Sequence, residues 1–109
     1  MNYTLELIRS NIKIASDIVE KNTPLTLRIV CRKETIKNSM VLVHLATRGL
    51  PTHYRLSENK DFKGAEWIPF ECNYIDFELS KSKGQKEIYG QIKNNYYESE
   101  VSKEIIYLV

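Results

Sequence analysis

Covalent, acid–base and metal chemistry need particular side chains within reach of one another. The first groups to weigh here are His44 and His53, Cys31 and Cys72, and the carboxylates Glu58, Glu66, Glu71 and Asp76. His44 lies in an apolar run and His53 opens the next alternating run, so strands paired there would bring the two imidazoles together. No third ligand stands at a telling spacing, and a structural or partly exposed pair is preferred over a metal site. Carboxylates that approach one another are what glycoside hydrolysis needs. These fall in turns and on strand faces that the alternation turns outward, and they read as solvated surface. The cysteines have no Cys-x-x-Cys spacing, and both read as small, buried or half-buried apolar side chains, with a single disulfide left open. There is no Gly-x-Ser-x-Gly elbow and no His-Glu-x-x-His helix. The expectation is a non-enzyme with no catalytic residues, no metal and no cofactor.

Recognition chemistry has more material. Trp67, the single tryptophan, and Tyr74, Tyr96 and Tyr97 are the candidate binding residues, because an exposed aromatic ring stacks on a sugar or a protein partner with little entropy to lose. Tyr96 and Tyr97 share a loop, where binding groups concentrate, although loop tyrosines also serve as anchors. Lys81, Lys83, Lys86 and Lys93 near Tyr89 are the nearest thing to a basic strip interleaved with aromatics. Sixteen Lys and Arg against fourteen Asp and Glu leave only +2, mixed along the chain, so the lysines read as solubility and edge protection, and no nucleic-acid partner is expected.

These residues must be carried by strands. Length (109 residues), 42% hydrophobic and 28% charged composition fit one ordinary globular domain. Short runs rich in Val, Ile, Thr and Tyr alternate with period two. The pattern predicts strands near 25–31, 40–46, 53–58, 66–70, 75–79, 86–93 and 101–108, with 33–38 a charged connection. Residues 40–46 are apolar at almost every position, as in a central strand covered on both faces. Pro69 marks 66–70 as an edge strand, and Gly49 supplies a turn. Before Pro24 the reading is less regular: Tyr3–Ile8 and Ile12–Ile14 alternate, and Asn11–Lys21 reads as extended, with a short helix capped by Ser10 or Asn11 as the alternative. No apolar run is long enough to span a membrane, and Met1–Arg9 lacks the pattern of an export signal. The chain's end on Ile105–Val109, an apparent strand without a polar tail, suggests a domain cut from a longer protein.

The series Pro51–Glu58, Phe62, Gly64-Ala65 and Trp67–Phe70, followed by Phe77–Ser80, Gly84, Lys86–Lys93 and Val101–Ile105, resembles the immunoglobulin-like or fibronectin type III-like modules of Bacteroidetes and other bacterial surface, secreted and phage structural proteins. It covers Met40–Val109 and implies an all-β, two-sheet antiparallel sandwich over 25–109, with 1–24 an N-terminal extension or the end of a preceding module. It also implies that Trp67 packs against Tyr54; with the strands above, the expected core includes both, with Leu27, Ile29, Val41, Val43, Leu45, Leu56, Phe77, Leu79, Ile88, Ile92 and Ile105. The function it implies is a non-catalytic accessory, spacer or interaction module, extracellular or at the cell surface, whose partners are neighbouring domains or another protein. The alternative is a carbohydrate-binding module using the exposed aromatics. The loops carrying Cys72 and Tyr74, and Tyr96 and Tyr97, depart from the family's pattern and are where a binding specialisation is expected.

Overall fold

A computed structural model describes residues 18–109; the runs Tyr3–Ile8 and Ile12–Ile14 lie outside the described residues. The strands are β1 (Thr26–Cys31), β2 (Thr35–Ile36), β3 (Met40–Arg48), β4 (His53–Ser57), β5 (Ile68–Pro69), β6 (Tyr74–Glu78), β7 (Gly84–Lys93) and β8 (Ser102–Leu108). They form a three-stranded sheet in the order β1-β3-β6 and a five-stranded sheet in the order β2-β8-β7-β4-β5. Every pairing is antiparallel except β2 with β8, which is parallel.

Period two decides what each strand buries. Ile29 of β1 and Val41, Val43 and Leu45 of β3 face Tyr54 and Leu56 of β4, Ile88 and Ile92 of β7 and Ile106 of β8, with Leu25 and Leu79 at the margins. Leu27, Cys31 and Phe77 are half-buried against this cluster. The two sheets come close at Gly90, where an added Cβ would lie 2.6 Å from Ile29 Cδ1 and 3.0 Å from Leu56 Cδ2. A side chain there would push the sheets apart. The backbone N–H of Ile29 donates to Ser102 Oγ at 3.1 Å, tying β1 to the start of β8. Gly49 takes φ 86° in the turn after β3, where a Cβ would also strike Leu25 Cδ2 at 2.8 Å, so both conformation and space require glycine.

Four expectations are corrected. Residues 18–22 form a short helical turn, closed by Thr23 N–H donating to the Val19 carbonyl, and Pro24 ends it. Within 33–38 the chain makes β2, held by Tyr107 N–H donating to the Glu34 carbonyl and Val109 N–H to the Ile36 carbonyl; two residues carry no periodicity to read. In β8 the register puts Ile106 opposite Lys86 on the inner side, so Ile106 is buried and Ile105 is 40% exposed. Adjacent isoleucines leave the phase of the alternation open until the partner strand sets it. Finally, β3 is central in its sheet but the described residues cover one face only: Met40 and Leu42 are 46% and 48% exposed.

Candidate functional site

The outer face of the three-stranded sheet is built by the residues that alternate away from the core. The register sets Val30 of β1 beside His44 of β3, and His44 beside Tyr74 of β6; one step along, Leu42 stands beside Asp76, and beyond it Met40 beside Glu78. Tyr74 is half exposed and its ring stacks on His44, centroids 4.6 Å apart and planes 13° from parallel. Asn73 Nδ2 lies 3.3 Å from His44 Nε2. Arg32, just past β1, lines a shallow hollow of about 410 Å³ with Val30, Leu42, His44 and Tyr74. A second hollow of about 520 Å³ continues along Met40 and Leu42 to Ile36 and Lys37. The result is an apolar and aromatic strip with arginines on one side and carboxylates on the other.

The outer face of the five-stranded sheet is organised differently, because the chain between β4 and β5 folds back over it. Phe62 is only 4% exposed although it lies outside the main core. It is held in a left-handed conformation, φ 57°, by bonds from its N–H to the Asn59 carbonyl and from Ala65 N–H to its own carbonyl. A left-handed backbone at a residue that carries a Cβ costs about 1–2 kcal/mol, which burial of the ring offsets. The Arg55 guanidinium lies over both Phe62, 4.2 Å from its centroid, and Trp67, 4.5 Å from its centroid. Lys93 Nζ lies 4.6 Å from the same indole. Arg55 Nη2 and Nε donate to Gln91 Oε1 at 2.8 and 3.2 Å, and Gln91 Nε2 donates to the Ser99 carbonyl at 2.9 Å. Farther along, Tyr89 OH donates to Glu87 Oε2 at 2.6 Å and Lys103 pairs with Glu87 Oε1 at 3.0 Å. Those contacts hold the Glu87 carboxyl below its ordinary range, the tyrosine bond first among them, and raise Tyr89 and Lys103.

The four candidate aromatics are not gathered into one site. Trp67 is half-buried on this outer face, stacked by cations, and Phe70 takes the place beside Tyr54 that the resemblance assigns to it, with rings edge to face at 6.1 Å. Tyr74 belongs to β6 and not to the preceding loop. Tyr96 is 45% exposed in the loop after β7. Its neighbour Tyr97 packs on the core and donates its hydroxyl to the Lys21 carbonyl, while Asn94 Oδ1 accepts the N–H groups of both tyrosines.

The histidines do not come together, since β3 and β4 belong to different sheets; His53 shares a hydrogen bond with Thr52. Glu58 accepts from the N–H and hydroxyl of Ser80, at 2.8 and 2.9 Å, which pins the loop before β7. Lys86 is buried and donates to Ser80 Oγ and Ser82 Oγ, so the lysines of the supposed basic strip do not share one surface. Cys31 and Cys72 are both free thiols. Cys31 is half-buried, and burial, then the nearby Glu104, pushes its thiol up to about 11. Cys72 is exposed, contrary to expectation, because it sits in the open connection between β5 and β6. Among the described residues no helix is long and apolar enough to cross a membrane.

Sequence reasoning missed His44, Leu42 and Met40 as a surface, because an unbroken apolar run reads as burial on both sides. Comparison with family models, with curated proteins and with solved structures finds no match for the chain.

Proposed function

We propose that the chain is a non-catalytic interaction module with an immunoglobulin-like or fibronectin type III-like sandwich, part of a larger bacterial surface or secreted protein, and that it works by docking the outer face of its three-stranded sheet. The strand order supports the fold reading: in the lettering used for such sandwiches, β1, β3 and β6 take the places of A, B and E, and β8, β7, β4 and β5 those of G, F, C and C′. One observation carries the functional reading. Strand β3 is apolar on both faces, as a strand buried from both sides would be, and the described residues cover one of them. Elsewhere several polar groups are engaged within the fold: Glu58 with Ser80, Arg55 with Gln91, Lys86 with Ser80 and Ser82. Exposed apolar patches rimmed by charge mark contact surfaces.

Hydroxyl-radical footprinting tests this. Met40, Leu42 and Tyr74 should be protected in the producing cell relative to the dilute purified chain, with Ile68 and Tyr96 labelled equally in both. Equal labelling of all five positions would contradict the reading.

A second reading, binding of a sugar ring, is favoured by one feature: Tyr74 is braced by His44 while still 54% exposed. A glycan panel with Tyr74→Ala as control separates the two, since sugar binding must vanish in the variant.

A further inference from the structure

The face that the described residues leave uncovered is complementary to itself, and we infer that it packs on the same face of a second copy of this chain. This rests on the reading of that face as a contact surface and names its partner. Charge is ordered across the strands. Arg28 and Arg32 lie along β1 and just beyond its end with Val30 between them, Met40, Leu42 and His44 of β3 fill the middle, and Asp76 and Glu78 lie on β6. The one ion pair among the described residues is Lys103–Glu87, so none of these four charged groups has an ionic partner there.

Two such faces can be apposed about a two-fold axis in two simple ways. An axis across the strands lays each arginine edge on the other and each acidic edge on the other. An axis along the strands exchanges β1 and β6, so the cationic edge of each copy meets the acidic edge of its mate. Like charges brought together cost affinity and opposite charges fix the register, so the second arrangement is selected. It keeps residues at their level along the strands. Cys31 is level with Val43, which puts Arg32 one step on, level with Leu42 and Asp76. Arg32 then meets Asp76 of the second copy, Leu42 meets Leu42 at the axis, and Val30 meets Tyr74.

Area sets the strength. Strands about 4.8 Å apart and about 3.4 Å per residue make this three-stranded face much smaller than the roughly 800 Å² per partner of a standard interface. An interface this small associates weakly, at micromolar or higher concentration, and becomes substantial only where the chain is concentrated or tethered in an array.

Sedimentation equilibrium of the full chain from about 10 µM to about 1 mM samples that range. The weight-average mass should climb from one chain toward two. Arg32→Asp and Asp76→Arg should each weaken association at least about tenfold, because each places two like-charged contacts in the dimer, and the double variant should return to within about threefold of the parent. Thermal melts serve as the folding control, since both positions lie outside the core. A monomer at every concentration, or single reversals that the double variant does not rescue, overturns self-association. If the chain stays monomeric while Met40 and Tyr74 remain protected in the cell, the partner is a different protein; if that protection is absent as well, the face is not a contact surface.

Discussion

The two outer faces of this sandwich start from similar material and end differently. On the five-stranded sheet, the chain between β4 and β5 turns back and lays Phe62 and Trp67 against Arg55. Gln91 then links Arg55 to the Ser99 carbonyl, so that this half of the face is roofed by its own chain; only the β8 flank shows Ile105 and Tyr107. On the three-stranded sheet nothing among the described residues performs that service, and Met40, Leu42 and Tyr74 stay about half exposed. The covered face is stability built from aromatic and cationic groups that would otherwise look like a binding site. The other face is apolar surface that the described residues leave open.

The sharpest way to break this contrast is to strip the roof. Phe62→Ala removes a ring that is 4% exposed, and should destabilise the domain by about 3 kcal/mol in equilibrium unfolding, the range of buried aromatic truncations. A loss below about 1 kcal/mol would mean that the segment is a loose flap. Next comes Arg55→Met, which keeps the stem but removes the guanidinium. It should cost about 1–2 kcal/mol, because Gln91 loses its donors and Trp67 one of its cations, and acrylamide should quench Trp67 more strongly in the variant than in the parent. On the bare face, Leu42→Ser and Met40→Ser should each stay within about 0.5 kcal/mol of the parent in the same assay. A large loss there would show that β3 is stabilised by something its own chain supplies.

The smallest effect separates the thiols. Burial favours the protonated form of Cys31 and raises it to about 11, so its thiolate is scarce near pH 8 and grows only as the pH approaches that value. A disulfide reagent at pH 8 should label one thiol per native chain, Cys72, at once, and Cys31 only at higher pH or on unfolding. Equal rates for the two would contradict the half-buried placement.

Most of the strand framework was legible in sequence because alternation is a strong signal where each strand has one wet face. β1, β4 and β7 show it, and Gly90 falls on the inner side of β7 as the alternation requires. Three kinds of information were not local. The phase of Ile105-Ile106 depends on the register against β7, and β2 exists only through its partner β8. The helical turn over 18–22 is set by i to i+4 bonds that the same apolar spacing leaves undecided against a strand. The site was harder still. Trp67 reads as core from the family resemblance, yet Phe70 reaches Tyr54 first and the indole stays outside between Arg55 and Lys93. The bare face was hidden by its own composition, since apolar residues on both sides of β3 predict cover on both sides.

Whether that cover comes from another molecule is tested most directly by an amide and methyl NMR dilution series of the full chain. Concentrating it should shift resonances of Val30, Arg32, Leu42, His44 and Tyr74 together, along one binding curve, while Ile105, Trp67 and Tyr96 hold still. Shifts centred on Ile105 and Tyr107, or none at any concentration, would contradict a contact between copies through the three-stranded sheet.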